Sequence, residues 1–572
     1  MSRKDLEKIT IGMATCGIAS GADVVKKELE KQAKDILIEK VGCLGSCYLE
    51  PIVELRFKDK SLYFKQVNKE TIPKIISAID NPEAVEKELL IDFEDPFFKK
   101  QVKLVTKNVG KIDPFSLEEY EKTGGFEGLK KAIENSPEQI IETIKTSKLR
   151  GRGGAGAPTS MKWTFIAKAE KPKYLICNAD EGDPGAFMNR AILESDPFRL
   201  FEGMLIGAYA TGCEQGIIYA RAEYPLAIKT LENAIEQLKK KKLLGKNILG
   251  KFDFDIIIKK GAGAFVCGEE TALMKSVEGR RGMPQTRPPY PAERGVYERP
   301  TNINNVGTFC HVATIFQIGV NEYIKYGTEK TGGTKIICIA GKADNAGVIE
   351  VPFGISLKEI IYDIAKAPAN FKAVQCGGPS GGCIPKDKID IPYDYETIQS
   401  LGAIVGSGGM IFMDSKNDMV DVARYFLNFT KEESCGKCIP CREGTFRLYE
   451  LLERFLSHRV SEDDIDFAEK MCYYIKDSAV CGLGQTAPNP VLTTLKYFRN
   501  EYENYIIKDD FKTYFITQKC VGCDQCTTVC PQKCISGDKG KLHTIDQEKC
   551  IECGACYKQC KFDAIITRAD DE

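Results

Sequence analysis

Histidine is almost missing from this chain. Three of its 572 residues are His and one is Trp, so acid–base chemistry by imidazole and zinc–histidine chemistry have little material. No Ser-His-Asp arrangement is legible, and His458 and His543 read as solvated side chains rather than functional ones. Long apolar runs are absent as well. No stretch reaches the 18 residues of a spanning helix, and the start Met1-Ser2-Arg3-Lys4-Asp5 lacks the apolar core of a signal segment. Charge of one sign is not in excess either: Lys+Arg 80 against Asp+Glu 81 leaves a net charge of −1, which gives no global field for nucleic acid or an anionic membrane. The expectation is a soluble cytoplasmic chain of about four domains.

Cysteine, by contrast, is abundant. Twenty-four cysteines would be out of place as disulfides in a reducing compartment and are expected if most bind metal. The C-terminal stretch carries two copies of C-x2-C-x2-C-x3-C: Cys520, Cys523, Cys526, Cys530 and Cys550, Cys553, Cys556, Cys560. A four-iron cubane needs four converging thiolates, and the tight triplet supplies three of them. In the two-cluster ferredoxin pattern the fourth comes from the other repeat. One 4Fe-4S cluster is therefore assigned to Cys520, Cys523, Cys526 and Cys560, the other to Cys550, Cys553, Cys556 and Cys530. Zinc sites use pairs rather than crossed triplets. A third triplet, Cys435, Cys438 and Cys441, needs a remote fourth ligand, and on spacing alone both Cys472 and Cys481 qualify. Cys534 is left over as a buried thiol.

From the N-terminus, residues 1–92 read as a small α/β unit with a helix at 21–34 and strands at 35–41 and 52–57. Cys16, Cys43 and Cys47 in this unit resemble the thioredoxin-like 2Fe-2S domain, whose first loop has a further cysteine where Ile11 stands here. Three thiolates do not complete an all-cysteine 2Fe-2S set, so a bound cluster and a retained fold with an altered site both stay open. Residues 93–150 read as a charged helical collar. The segment Arg150-Gly151-Arg152-Gly153-Gly154-Ala155-Gly156-Ala157 then leads into a helix at 160–168, and such a loop lets backbone amides approach a phosphate at a helix start.

Two apolar runs, 174–176 and 254–259, read as strands ending in polar or glycine-rich segments, Asn178-Ala179-Asp180-Glu181-Gly182-Asp183 and Gly261-Ala262-Gly263-Ala264-Phe265-Val266-Cys267-Gly268-Glu269-Glu270. Ligands of α/β folds sit at such strand ends. Thr301-Asn302-Ile303-Asn304-Asn305 adds a third polar cluster. Residues 331–413 alternate short strands around a helix at 357–366, with Cys376 and Cys383 as structural thiols, and 420–504 has helical period. A linker is expected over 505–515.

Together these motifs resemble the flavoprotein subunit of respiratory complex I and its relatives, and more particularly the beta subunit of electron-bifurcating iron-iron hydrogenases and of NADP-reducing hydrogenases. The resemblance spans essentially the whole chain. It implies FMN held by Gly151, Arg152, Gly154, Asn178, Asp180, Phe265, Gly268, Glu269, Asn304 and Asn305, with NAD(H) or NADP(H) stacked above it. It places Glu270 and Asp183 near the nicotinamide, Phe165 and Tyr290 beside the adenine, Lys162 facing FMN and Arg287 facing the dinucleotide phosphates. It also favours Cys481 over Cys472. Ala157 stands where the family has a stacking phenylalanine, and Gly307 replaces a glutamate.

The implied architecture is multidomain α/β and α+β: a thioredoxin-like unit at 1–92, a Rossmann-like FMN and NAD(P) domain at 93–330, a β-grasp insert at 331–415, a helical 4Fe-4S domain at 416–510 and a two-cluster ferredoxin-like domain at 511–572. The implied function is an FMN-dependent NAD(P)H dehydrogenase (diaphorase) subunit of a soluble electron-bifurcating complex with three 4Fe-4S clusters. Its expected partners are a hydrogenase-type catalytic subunit, a small thioredoxin-like 2Fe-2S subunit and ferredoxin, in a hetero-oligomer. The same module serving formate dehydrogenase, or an electron-transfer scaffold that has lost its flavin or nucleotide site, are the alternatives, since Ile11, Ala157 and Gly307 depart from the pattern.

Overall fold

The computed structural model describes residues 5–506 and 513–567. The middle of the linker expected over 505–515 lies outside them. Strands are numbered in chain order. Near the N-terminus, β1 (Leu6–Gly12), β2 (Ile38–Val41), β3 (Val53–Phe57) and β4 (Ser61–Phe64) form a sheet of order β2-β1-β3-β4, with β1 parallel to β2. The helix Ala22–Gln32 buries Ala22, Val25 and Leu29 against it, the three-to-four spacing of an amphipathic helix.

The central sheet contains β5 (Tyr174–Ala179), β6 (Gln215–Arg221), β7 (Gly245–Ile248), β8 (Phe252–Gly261) and β9 (Thr301–Asn305), in the order β7-β8-β6-β5-β9. All pairings except β7 with β8 are parallel. Leu175, Ile176 and Cys177 are fully buried, the run of apolar residues that a strand covered on both faces requires. On one face Leu175 and Cys177 share a core with two helices, and on the other Ile176 packs with Ala272, Leu273 and Val277 of the helix Glu270–Val277. The two helices, Pro197–Thr211 and Val306–Ile318, are buried almost all round and pack on each other inside the largest core. The chain leaves β5 for β6 and β8, then returns to β9 on the other flank of β5. This is a switch point of the kind at which open α/β sheets bind ligands.

The collar, with helices Leu117–Lys122, Glu127–Ile133 and Pro137–Thr146, is tied to this core by polar contacts. Asn108 Nδ2 donates to Asp196 Oδ2 at 3.0 Å, and Leu129 N to Glu202 Oε1 at 3.1 Å. A third sheet, made of β10 (Thr334–Gly341), β11 (Gly347–Pro352), β12 (Phe371–Cys376), β13 (Gly382–Pro385) and β14 (Gly409–Asp414), runs β11-β10-β14-β12-β13, with only β10 and β14 parallel. The helix expected at 357–366 is one short turn, Leu357–Glu359, continued by a π-helix, Ile360–Ile364. Ile360, Ile361 and Ile364 lie on its inner face, buried in the core of the third sheet. Cys376 and Cys383 are buried.

A helical unit follows, with Met419–Glu432, Thr445–Leu456, Glu462–Ser478 and Asn489–Tyr497 around one core. The C-terminal segment has two small pairings, β15 (Tyr514–Ile516) with β18 (Ile565–Thr567) and β16 (Ile535–Ser536) with β17 (Thr544–Ile545), each antiparallel. Among the described residues no helix is long and apolar enough to cross a membrane.

Candidate active site and metal centres

The parallel register of β5 and β9 sets Cys177 beside Asn304 and Asn178 beside Asn305, so three amide side chains converge at adjacent C-terminal strand ends. The single tryptophan fixes one of them. Trp163, fully buried in the helix Thr159–Ala167, donates through Nε1 to Asn304 Oδ1 at 2.9 Å. In front of these strand ends lies a cavity of about 1230 Å³. Its walls include the glycine loop (Gly151, Gly153, Gly154 and Gly156), with Lys162, Phe165, Asn178, Gly268, Glu269, Glu270, Arg287, Tyr290, Asn304 and Asn305.

The loop is held from behind. Gly151 N donates to Ala157 O at 2.8 Å, Arg152 N to Thr308 Oγ1 at 2.9 Å, and Tyr395 OH to Gly151 O at 2.8 Å. The buried Lys335 ammonium donates to Arg152 O at 2.6 Å, and burial pushes this amine down to about 7. Gly154 has φ +139, a backbone that glycine alone adopts without strain.

Glu269 caps the helix Glu270–Val277 by accepting from Thr271 N and Ala272 N. Glu270 sits between two cations: Lys162 Nζ pairs with its Oε1 and Arg287 Nη1 lies 3.5 Å from its Oε2. Phe165 and Tyr290 are 61% and 56% exposed. Aromatic rings left that open on a cavity wall offer flat faces for stacking a ring.

Four expected residues are not on the cavity wall. The Arg152 guanidinium turns into the protein, donating to Arg150 O at 2.9 Å and Gly332 O at 2.6 Å and lying 4.8 Å from the centre of the Phe353 ring. The side chain thus anchors the loop from behind. Asp183 is half-buried, accepts from Ser407 Oγ, and is pushed up to about 6 by desolvation, so it faces the third sheet's connections rather than the cavity. Phe265 packs edge-on against Phe429, with ring centres 5.2 Å apart. Asp180 lies behind Gly268, its Oδ2 3.8 Å from where a Cβ on that glycine would stand.

Several buried polar atoms at this place have no protein partner: both oxygens of Asp180, and Nδ2 and Oδ1 of Asn302, a residue of the cavity wall. Buried polar groups are rarely left so. Orphaned acceptors and donors, a glycine cradle and a cavity of this size fit a polar heterocycle carrying a phosphate. Burial pushes Asp180 up to about 7. A carboxyl raised from about 3.9 in the unfolded chain costs stability as pH climbs from there to about 7, at roughly 1.4 kcal/mol per unit. In flavin-stripped protein, Asp180→Asn should therefore stabilise more at pH 8 than at pH 5, by roughly 2–3 kcal/mol. Denaturant melts at the two pH values check this; equal gains at both would refute it.

The cavity wall also includes Gly482, the neighbour of Cys481. Cys441 is buried in an apolar group against which Cys435, Cys438, Cys481 and Phe265 pack. Burial pushes the Cys441 thiol up to about 11. The rival Cys472 sits elsewhere, fully buried in the helical unit's own core. Four thiols in one apolar shell are the donor set a cubane takes.

In the C-terminal segment, Cys520, Cys523, Cys526 and Cys560 line one small cavity together with His543. Cys530, Cys550 and Cys556 pack in the same core, where Cys534 Sγ lies 3.4 Å from Cys530 Sγ. His543 is not solvated as its sequence context suggests. It is 1% exposed, with Nε2 2.8 Å from Asp524 Oδ1 and Nδ1 3.9 Å from Cys520 Sγ. The third histidine, His311, is also buried, with Nδ1 3.0 Å from Tyr323 OH. In the N-terminal unit the sulfurs of Cys16, Cys43 and Cys47 all lie within 4.8 Å of one another.

The Nuo51 FMN-binding domain matches residues 144–314, the NADH-ubiquinone oxidoreductase-F iron-sulfur binding region matches 421–505, and a 4Fe-4S dicluster domain matches 504–565. The chain is 50% identical over 484 residues to NADP-reducing hydrogenase subunit HndC of Solidesulfovibrio fructosivorans, covering 82% of this chain and 98% of that one. It is 41% identical over 409 residues to an F-type NADH-quinone oxidoreductase subunit of Rhizobium meliloti, covering 70% and 97%. A chain of the NAD+-reducing [NiFe]-hydrogenase in the H2-reduced state superposes with TM-score 0.64 at 28% identity, covering 88% of this chain and 84% of that one. The chain therefore belongs to the flavoprotein-subunit family that includes the F-type subunits of NADH-quinone oxidoreductases and the hydrogenase subunit HndC, with an FMN-binding domain and 4Fe-4S binding regions.

Proposed function

We propose that this chain is the FMN-dependent NAD(P)H dehydrogenase subunit of a cytoplasmic, hydrogenase-type complex that exchanges electrons with ferredoxin. The observation carrying this reading is the shared wall: Gly482, next to Cys481, closes the cavity that the glycine loop opens. FMN takes an electron pair from a nicotinamide and gives electrons up singly, the form in which iron-sulfur clusters take them.

The chain's own residues hold and orient. The loop 151–156 and the helix start behind it would receive the phosphate of FMN, while Asn178, Asn304, Asn305 and the orphaned Asn302 would address its polar edges, with Asp180 behind Gly268 backing that wall. Phe165 and Tyr290 stack the adenine at the open mouth, and Arg287 meets the dinucleotide phosphates, which release it from Glu270. Lys162 and Glu270 stay paired at the inner wall. Cys435, Cys438, Cys441 and Cys481 hold the cluster beside the flavin, and the crossed C-terminal sets hold two more.

The strand orders β2-β1-β3-β4 and β11-β10-β14-β12-β13 support the folds of the thioredoxin-like unit at 1–92 and the β-grasp insert at 331–415, and the insert would offer a partner-docking surface beside the flavin. The chain's partners are a catalytic subunit and a small thioredoxin-like 2Fe-2S subunit. Bifurcation is part of the proposal: in the reconstituted complex, NAD(P)H and reduced ferredoxin should be consumed together as hydrogen forms. Consumption of either one without the other defeats that part.

The nucleotide site has its own test. Arg287→Gln should raise KM for the nicotinamide nucleotide about tenfold to a hundredfold, the worth of a lost charged hydrogen bond of about 1.5–3 kcal/mol, with kcat little changed. A fall in kcat at unaltered KM would place Arg287 elsewhere than on the phosphates.

A further inference from the structure

The geometry points to a single tetrahedral divalent ion of zinc's class, held by Cys16, Cys43, Cys47 and Glu50, where the sequence pattern suggests a two-iron cluster. The position that would carry the fourth cysteine is Ile11, fully buried in the N-terminal core and unavailable as a ligand. The three sulfurs that remain close on one another. All lie within 4.8 Å, and Cys43 and Cys47 are 3.9 Å apart. Tetrahedral zinc with bonds of about 2.3 Å sets its sulfurs roughly 3.8 Å apart. A two-iron rhomb needs its thiolates as two pairs at opposite ends, and three mutually close sulfurs do not divide so.

Glu50 stands beside this group of three sulfurs, next to Cys16 but outside the mutually close set, and its carboxylate would swing in as the fourth ligand when an ion binds. Glu50 is 7% exposed, and its Oε1 lies 4.0 Å from Cys16 Sγ. Its other oxygen accepts from Ile52 N at 3.0 Å, the kind of outer contact that orients a ligating carboxylate. Gly12 makes room for it: a Cβ there would stand 3.0 Å from both carboxylate oxygens. Thus the residue after Ile11 opens the space that the carboxylate fills. Three thiolates and a carboxylate overcompensate a divalent ion, and Lys103 and Arg190 line the cavity beside the sulfurs. Thiolates select zinc over harder cations, and four protein ligands leave no open position, the mark of a structural site.

The ion would act as a staple. The Cys43–Cys47 loop is bound to β11 through Val348 N to Gly45 O at 2.7 Å and Tyr48 N to Ala346 O at 3.1 Å. The Cys16 loop is bound to the helix Met188–Ser195 through Thr15 N to Glu194 Oε2 at 2.8 Å. One ion thereby joins loops anchored on two different units. Being redox-inert, it makes the N-terminal unit a clamp rather than an electron port.

Elemental analysis of the purified full chain should find one zinc per chain, and absorption at the zinc edge should fit three sulfurs and one lighter ligand. Cys16→Ser should lose the zinc with iron and flavin unchanged. Glu50→Cys should keep the zinc and move the edge fit to four sulfurs, which reads the site even where the serine variant folds poorly. The proposal is overturned by a wild-type chain without zinc, by a two-iron signal in the reduced protein that Cys16→Ser abolishes, or by a zinc edge unchanged in Glu50→Cys.

Discussion

Gly154→Val should yield a folded, iron-loaded chain that has lost most of its flavin. Packing does not oppose the new side chain. A Cβ at Gly154 would meet nothing nearer than Gly406 C at 3.6 Å, an ordinary contact, so the surrounding core need not move. The backbone is another matter. At φ +139 a β-branched residue carries strain of roughly 1–3 kcal/mol, and the loop relieves it by leaving the conformation in which its amides face a phosphate. That strain corresponds to a loss in flavin affinity of roughly fivefold to 150-fold, enough for flavin to come away during purification. The measurement is flavin released on denaturation per chain, with iron assayed on the same sample. Gly245→Val is the control, because it too has positive φ, +107, with nothing within 4 Å of its Cβ position, yet lies at the start of β7, away from the cavity. It should lose stability and keep its flavin. Equal flavin in wild type and Gly154→Val would mean that the loop does not form the phosphate site.

Which parts of this were open to sequence reading follows from the range of the contacts involved. Asn178 stands out because it follows an apolar strand, and 304 and 305 because they sit in a polar cluster, while their meeting side by side comes from the parallel pairing of β5 with β9. Local spacing likewise marks the cysteine triplets. What the chain does not display locally is the direction of a side chain. Arg152 sits in a phosphate-type loop, but its guanidinium is drawn away by Gly332 O, 180 residues on. Asp183 is claimed by Ser407, 224 residues distant. Glu50 looks like a surface residue until β1 and β3 pair and bring it to Cys16. His543 is buried because Asp524 accepts it into the C-terminal core, and nothing in the residues around it announces that partner.

The same limit of range sets up the contrast between Cys481 and Cys472, which spacing leaves equal as the fourth ligand to Cys435, Cys438 and Cys441. Their surroundings make opposite forecasts. Cys481→Ser should cost the chain one cluster: iron falls by one cubane's share, one reduced-state paramagnetic signal disappears, and hydrogen formation from NAD(P)H and reduced ferredoxin in the reconstituted complex drops far below wild type while bound flavin is retained. A hydroxyl is a poor cubane ligand, and the other three thiols, left in an apolar shell that pushes Cys441 up to about 11, return to the protonated form once no metal holds them as thiolates. Cys472→Ser should keep all its iron. Its thiol is fully buried among Leu448, Leu452, Ile465, Ile475 and Tyr502, so the substitution sets a hydroxyl in an apolar core and costs about 1–3 kcal/mol of stability. The pair of variants therefore separates metal loss from destabilisation in a single experiment, iron per chain against denaturation midpoint. Iron lost from Cys472→Ser and kept in Cys481→Ser would move the cluster into the helical core, away from the cavity wall at Gly482, and break the link between nucleotide site and metal on which the proposed electron path depends.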